Sequence, residues 1–278
     1  MKRVKQRIFA GTTCDQIIMH VRDSDVGSRN PQPRERFESE EERENFNHGR
    51  GLRRFIRLIN ANFTPAGYYL TLTFDDEHEI YYFEDAKRIR DNLKRKIKRK
   101  FPDAVFVIVM GRGEATARIH FHMLFEGGDI EFVKNSWTYG KVIQCSHLRA
   151  SNIDKETNQN VGTDYTRIAA YLWNHWTEEQ GGKHYSAVRN MKQPEKEPAV
   201  ECIRTYSPEM PPIPPKGYKY VKCTANTQFG YQCFHYVKIV DTGQKVKQQY
   251  PPGSRFNAGM DPCKCVQNHD QTRKGGKQ

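Results

Sequence analysis

RIHFHMLF, Arg118 to Phe125, is the stretch on which the fold turns. Read as a strand, its alternation puts Ile119, Phe121, Met123 and Phe125 on one face and His120 and His122 on the other. Residues two apart on a strand lie about 7 Å apart at Cα, within range for two imidazoles to converge on one cation. Taken alone, the pair reads equally as two histidines lining a half-solvated sheet face.

Working outward, GYYLTLTF (Gly67 to Phe74) is rich in β-branched and aromatic residues and reads as a second strand. AVFVIVM (Ala104 to Met110) is an unbroken apolar run between Pro102 and Gly111, the mark of a strand buried on both faces. Between them, Ala86, Ile89, Leu93 and Ile97 fall three and four residues apart and predict a helix with one apolar stripe. Downstream, KVIQC predicts a strand, and Tyr165, Ile168, Leu172 and Trp176 predict another helix. Thr163 or Asp164 would cap its start, and Gly181-Gly182 would end it. This order suits an α+β fold, an antiparallel sheet with helices packed on one face.

The flanks differ in texture. Residues 1–50 are dense in charge of both signs and read as a basic, charged N-terminal arm, with a short helix from Arg53 to Asn62 leading into the core. Residues 51–195 hold the folded domain, and residues 196–278 a proline-rich linker (EMPPIPPKG), a small hairpin and a polar tail. Lys plus Arg number 45 against 33 Asp plus Glu, a net charge of +12, which points to a polyanionic partner, nucleic acid being the commonest. Mean hydropathy is −0.86. The longest apolar run falls far short of the roughly 20 residues a bilayer needs, and the first residues lack a secretory apolar core, so no membrane partner and a cytoplasmic location are expected. The seven cysteines are irregularly spaced and read as reduced thiols; Cys263-Lys-Cys265 with His269 lacks the CxxC of a zinc site. No GxxxxGK[ST] loop occurs, so no nucleotide cofactor is expected.

Three further features bear on chemistry. Glu114, in the turn before the histidines, would add a hard oxygen ligand suited to Mg²⁺ or Mn²⁺; a solvated turn carboxylate is the bland alternative. Tyr171 lies about 60° around its helix from Ile168, at the edge of the apolar stripe, where a ring packs and its hydroxyl stays available. A phenolate is a competent nucleophile toward a phosphodiester beside a metal, with His175 one turn on as a candidate base, although an edge-of-core tyrosine looks the same. Nine of the fourteen residues from Lys87 to Lys100 are basic, and Lys94, Arg95, Lys98 and Arg99 are candidate phosphate contacts.

Together these residues resemble rolling-circle replication initiators of the HUH endonuclease superfamily. The nearest likeness is to replication-associated proteins of small single-stranded DNA phages and of Gram-positive plasmids and prophages. The likeness runs over roughly residues 50–195: NANFTPAGYYLTLTF for the first motif, RIHFHMLF for the paired-histidine motif, AAYLWNHW for the tyrosine helix, SAVRNMKQP for an SRNxKxP-like segment, and WxxG at Trp137 to Gly140. The resemblance implies an HUH fold on an RRM/ferredoxin-like sheet and Mg²⁺ or Mn²⁺ held by His120, His122 and Glu114. It implies Tyr171 as the nucleophile on single-stranded origin DNA, leaving a 5′-phosphotyrosyl link and a free 3′-hydroxyl primer. Arg189, Asn190 and Lys192 would join the basic helix on DNA, and a host or phage polymerase and helicase would be partners in the bacterial cytoplasm. Asn174 stands where the family's YxxK motif has lysine, and Gly111 stands in the usual slot of the acidic ligand, with Glu114 as its shifted substitute. Arg167 replaces a second tyrosine, so the resemblance implies a single-tyrosine enzyme. The rival readings are a non-catalytic single-stranded nucleic-acid-binding module on an RRM-like sheet, with Tyr69 and the histidines stacking bases, and a metal hydrolase of small phosphoesters. No RNP1-like run is present for the first, and the charge favours a polymeric substrate over the second.

Overall fold

Alternating and apolar runs become strands, and three-four spacing becomes helices. The computed structural model describes residues 1–33, 37, 39–113, 118–149, 152–153, 160–226 and 231–239; Cys263, Cys265 and His269 lie outside these. In chain order the elements are β1 (Lys2–Ala10), β2 (Thr13–Val21), α1 (Glu40–Asn62), β3 (Tyr68–Thr73), α2 (Phe83–Lys100), β4 (Val105–Arg112), β5 (Ile119–Glu126), α3 (Ile130–Ser136) and β6 (Val142–His147), followed by β7 (Asn152–Ile153), β8 (Asn160–Val161), α4 (Thr166–Trp173), β9 (Ser186–Ala187), β10 (Glu195–Lys196), β11 (Val200–Glu201), β12 (Tyr218–Asn226) and β13 (Tyr231–Lys238). The chain is α+β with two larger antiparallel sheets. Among the described residues no helix is long and apolar enough to cross a membrane.

The first sheet runs β6-β3-β5-β4-β9, so the histidine strand is central. His120 lies opposite Gly111 of β4 and Thr73 of β3, and His122 opposite Val109 and Thr71. Ile119, Phe121, Met123 and Phe125 are at most 1% exposed, as the alternation requires. Phe121 packs edge-on against Trp137 at the end of α3, and Phe101 at the end of α2 packs against Phe132 of α3. The opposite face is covered too, since Tyr171 of α4 sits against His122. Helices therefore lie on both faces, not on one. The reason is visible in β4, whose Phe106, Val107, Ile108 and Val109 are all buried and need apolar cover on each side.

The charged arm expected over residues 1–50 is corrected as well. β1 and β2 form a full hairpin, and β2 pairs with β13, so the second sheet runs β10-β1-β2-β13-β12 with β11 also on β1. Val4, Gln6, Ile8 and Ala10 point inward, a two-residue period hidden among lysines and arginines. The expected C-terminal hairpin is present as β12 and β13, joined to the N-terminal hairpin. α1 is longer than the predicted short helix: Ser39 caps it, its hydroxyl accepting from Glu42 N at 3.1 Å, and three glutamates in the first turn complement the helix dipole. Phe55 and Ile59 of α1 enter the core of the first sheet, while Arg57 reaches across to Asp15 of the second.

Candidate functional site

β5 presents His120 and His122 from one face, their Nε2 atoms 3.0 Å apart. The third contributor is carried by α4. Tyr165, not Thr163 or Asp164, is the N-cap of this helix, and Asp164 just before it accepts at Oδ1 from Thr166 N at 2.9 Å and Thr166 Oγ1 at 2.6 Å. The helix stops after Trp173, and the following turn delivers His175 to the pair. Its ring centroid lies 4.3 Å from that of His122 and 5.7 Å from that of His120. One ligand atom from each of the three histidines falls within 4.8 Å of the other two. Tyr171, one helical turn before His175, sets its ring edge-on at 5.4 Å from His122 and 4.5 Å from His175. Tyr171 remains 49% exposed whereas His122 is 3% exposed.

The surroundings suit metal ligation. The Tyr69 hydroxyl is 2.7 Å from His122 Nδ1, which fixes that ring and leaves Nε2 directed at His120. Thr71 Oγ1 lies 3.3 Å from the same hydroxyl, and burial pushes the Tyr69 phenol up to about 12. Burial, then the neighbouring His175 and His120, push His122 down to about 3. Burial likewise lowers His120 and His175. All three imidazoles are therefore neutral near pH 7, the form that binds a cation. His175 Nδ1 is the nitrogen that shares the space beside Gly111 with His120 Nε2, while its Nε2 is buried with no hydrogen-bond partner among the described residues. A Cβ at Gly111 would stand 2.7 Å from His120 Nε2 and 3.0 Å from His175 Nδ1, so glycine leaves the room these rings occupy. These residues fit a divalent cation, and three imidazoles suit a transition ion better than Mg²⁺.

The sequence reading named His175 as a base and missed it as part of the metal cluster. The available signal was its four-residue spacing from Tyr171, which puts both on one helix face. Glu114 lies outside the described residues, so the described cluster is built of histidines.

The basic helix is not at this site. α2 packs with α3 on the Phe121 face, away from the histidines. Two of its candidate DNA contacts are engaged in structure: Lys94 Nζ donates to Ser186 Oγ at 2.6 Å, and Lys98 Nζ donates to Asn190 Oδ1 at 3.0 Å. Asn190 Nδ2 in turn donates to Asp103 O at 3.1 Å. Arg95 donates to Asn92, while Arg99 and Arg189 are exposed. Lys192 is tied by its backbone, its N donating to Asn62 Oδ1 at 2.7 Å, with its side chain exposed. What does adjoin Tyr171 is a cavity of about 520 Å³ whose lining includes Tyr69, Gln144, His147, Arg149 and Arg167. No family model, curated protein or solved structure matches the chain.

Proposed function

We propose that this protein is a rolling-circle replication initiator that nicks single-stranded origin DNA by transesterification, with Tyr171 as nucleophile. The observation that carries the reading is the half-exposed Tyr171 ring held edge-on against two of three clustered, neutral histidines. A divalent ion bound by His120, His122 and His175 would supply Lewis-acid polarisation of the scissile phosphoryl oxygens. Of Mg²⁺ and Mn²⁺, the all-imidazole set favours Mn²⁺. Tyr171 Oη forms a bond to phosphorus, the bond from phosphorus to the 3′-oxygen breaks, and the phenol proton leaves to solvent as the 3′-oxygen gains one. The products are a 5′-phosphotyrosine and a 3′-hydroxyl that a host or phage polymerase, helped by a helicase, extends. Tyr69 positions His122, against which Tyr171 packs, and Arg149 and Arg167 in the adjoining cavity supply positive charge for the strand.

The test is a denaturing gel of a 3′-labelled origin strand incubated with the full chain and Mn²⁺. Wild type should form a covalent adduct. Tyr171→Phe, which keeps the ring, should form none, and Tyr165→Phe should still form it. An adduct surviving in Tyr171→Phe assigns the attack elsewhere; none from wild type with any divalent ion favours a binding module.

A further inference from the structure

A second basic feature lies between α1 and the second sheet. A cleft of about 390 Å³ is lined by Arg29, Arg53, Arg54, Arg57 and Lys196, with no Asp or Glu among its described lining residues. It is assembled from segments distant in sequence, among them residues 29–33, 50–58 and 193–196. Its floor is apolar, with Ile17, Met19 and Leu58, and the Tyr185 and Tyr231 rings flank it.

Among the described residues that line this cleft, cations outnumber carboxylates. Arg57 is neutralised by Asp15 at 2.6 Å, and Asp15 also serves His235. That leaves Arg29, Arg53, Arg54 and Lys196 facing the cavity without a carboxylate in its lining. Arg53 lies over the Tyr231 ring at 4.7 Å, a placement that holds the guanidinium plane while its edge stays available to donate. Lys196 Nζ is steered by Asn30 Oδ1 at 2.7 Å. Burial, then the Arg54 and Arg57 charges, lower the Lys196 ammonium. Like charges gathered in a partly desolvated cleft cost free energy unless an anion joins them.

We propose that this cleft binds the phosphate backbone of single-stranded nucleic acid, at a site separate from the histidine cluster. The cation set matches the phosphates of such a strand, with the half-buried Tyr185 ring beside it. A neighbouring cavity of about 570 Å³ shares Arg29, Asn30, Gln193, Pro194 and Lys196 and adds Glu195. This site does not rest on the cleavage reading, since none of His120, His122, Tyr171 or His175 lines it.

The test measures fluorescence anisotropy of a labelled single strand of about 30 nucleotides with the full chain in EDTA, over a salt series. Arg54 and Lys196 are exposed, so the double variant R54Q/K196Q should fold, which its melting curve checks. Its affinity should fall about tenfold, and its slope of log K against log salt should shrink by about 1.4, near 0.7 for each lost phosphate contact. His122→Ala should change neither. An unchanged slope in the double variant overturns the cleft and leaves cleavage standing. Loss of wild-type cleavage with the slope change retained removes the cleavage reading alone. Displacement of the strand by free deoxynucleotide at equal concentration would overturn the strand as occupant.

Discussion

His235 Nε2 lies 3.1 Å from Asp164 Oδ2, so the last strand of the second sheet is bonded to the residue whose other carboxylate oxygen accepts from Thr166 N at the start of the tyrosine helix. The contact ends a buried chain: Arg57 Nε donates to Asp15 Oδ2 at 2.6 Å, and Asp15 Oδ1 holds His235 Nδ1 at 2.7 Å. With His235 protonated, two cations meet two carboxylates and every partner is satisfied. Burial pushes the Asp15 carboxyl up, but Arg57 and His235 outweigh it and hold it far below the usual carboxylate range. Four elements, α1, β2, β13 and the start of α4, are thereby fixed to one another, and with them the position of Tyr171.

This chain makes stability depend on alkaline pH. Burial disfavours the charged His235 imidazole, yet its bonds to Asp15 and Asp164 prevail and raise it from 6.5 to about 9. A raised imidazole stabilises the fold fully below its unfolded value and loses that contribution as pH rises through the folded one. Wild type should therefore lose about 3 kcal/mol between pH 6.5 and pH 9, read as a falling melting temperature. His235→Gln should melt lower at pH 6.5 and show a much flatter dependence across that window. A flat wild-type profile would mean that His235 is neutral in the fold.

Removing His175 should separate metal binding from folding. Its Nε2 is buried without a partner, so His175→Ala should leave the metal-free melting temperature near wild type. It should also abolish most of the Mn²⁺-induced rise, which in wild type amounts to about 2.7 kcal/mol when the ion is at a hundredfold its Kd. Gly111→Ala should act similarly by crowding: the added methyl meets the movable ends of two imidazoles and forces them apart. Titration calorimetry with Mn²⁺ should show at least a tenfold weaker affinity for both variants, and wild-type affinity in either would break the three-histidine assignment.

The basic helix divides into structural and free cations. Lys98→Ala should destabilise by about 1 kcal/mol, because it releases Asn190 and the carbonyl of Ala104. Arg99→Ala, at an exposed position, should stay within about 0.5 kcal/mol of wild type. Equal effects in chemical denaturation would show that Lys98 has no structural share.

Local periodicity settles much of this molecule. The alternation at 118–125 places His120 and His122 on one face because side chains on a pleated strand must alternate, whatever surrounds them. The three-four spacing in α2 places Ala86, Leu93 and Ile97 on its buried stripe in the same way. α4 instead stops at Trp173, well before Gly181-Gly182, leaves the expected Trp176 outside it and buries Ala169, Leu172 and Trp173. Tertiary structure decides which of these faces meet. His175 joins the pair only because α4 docks over the histidine face, a contact between residues far apart in sequence that no short window encodes. Lys94 and Lys98 look like free phosphate ligands in a basic run and become bridges to residues 186–190 once that segment folds against α2. β1 carries a two-residue signal, but lysines and arginines dominate its composition, and the strands that complete the sheet around the β1–β2 hairpin come from the far end of the chain. Backbone geometry is a property of neighbours in sequence, whereas pairing partners, charge balance and ligand convergence depend on which surfaces the whole chain buries together.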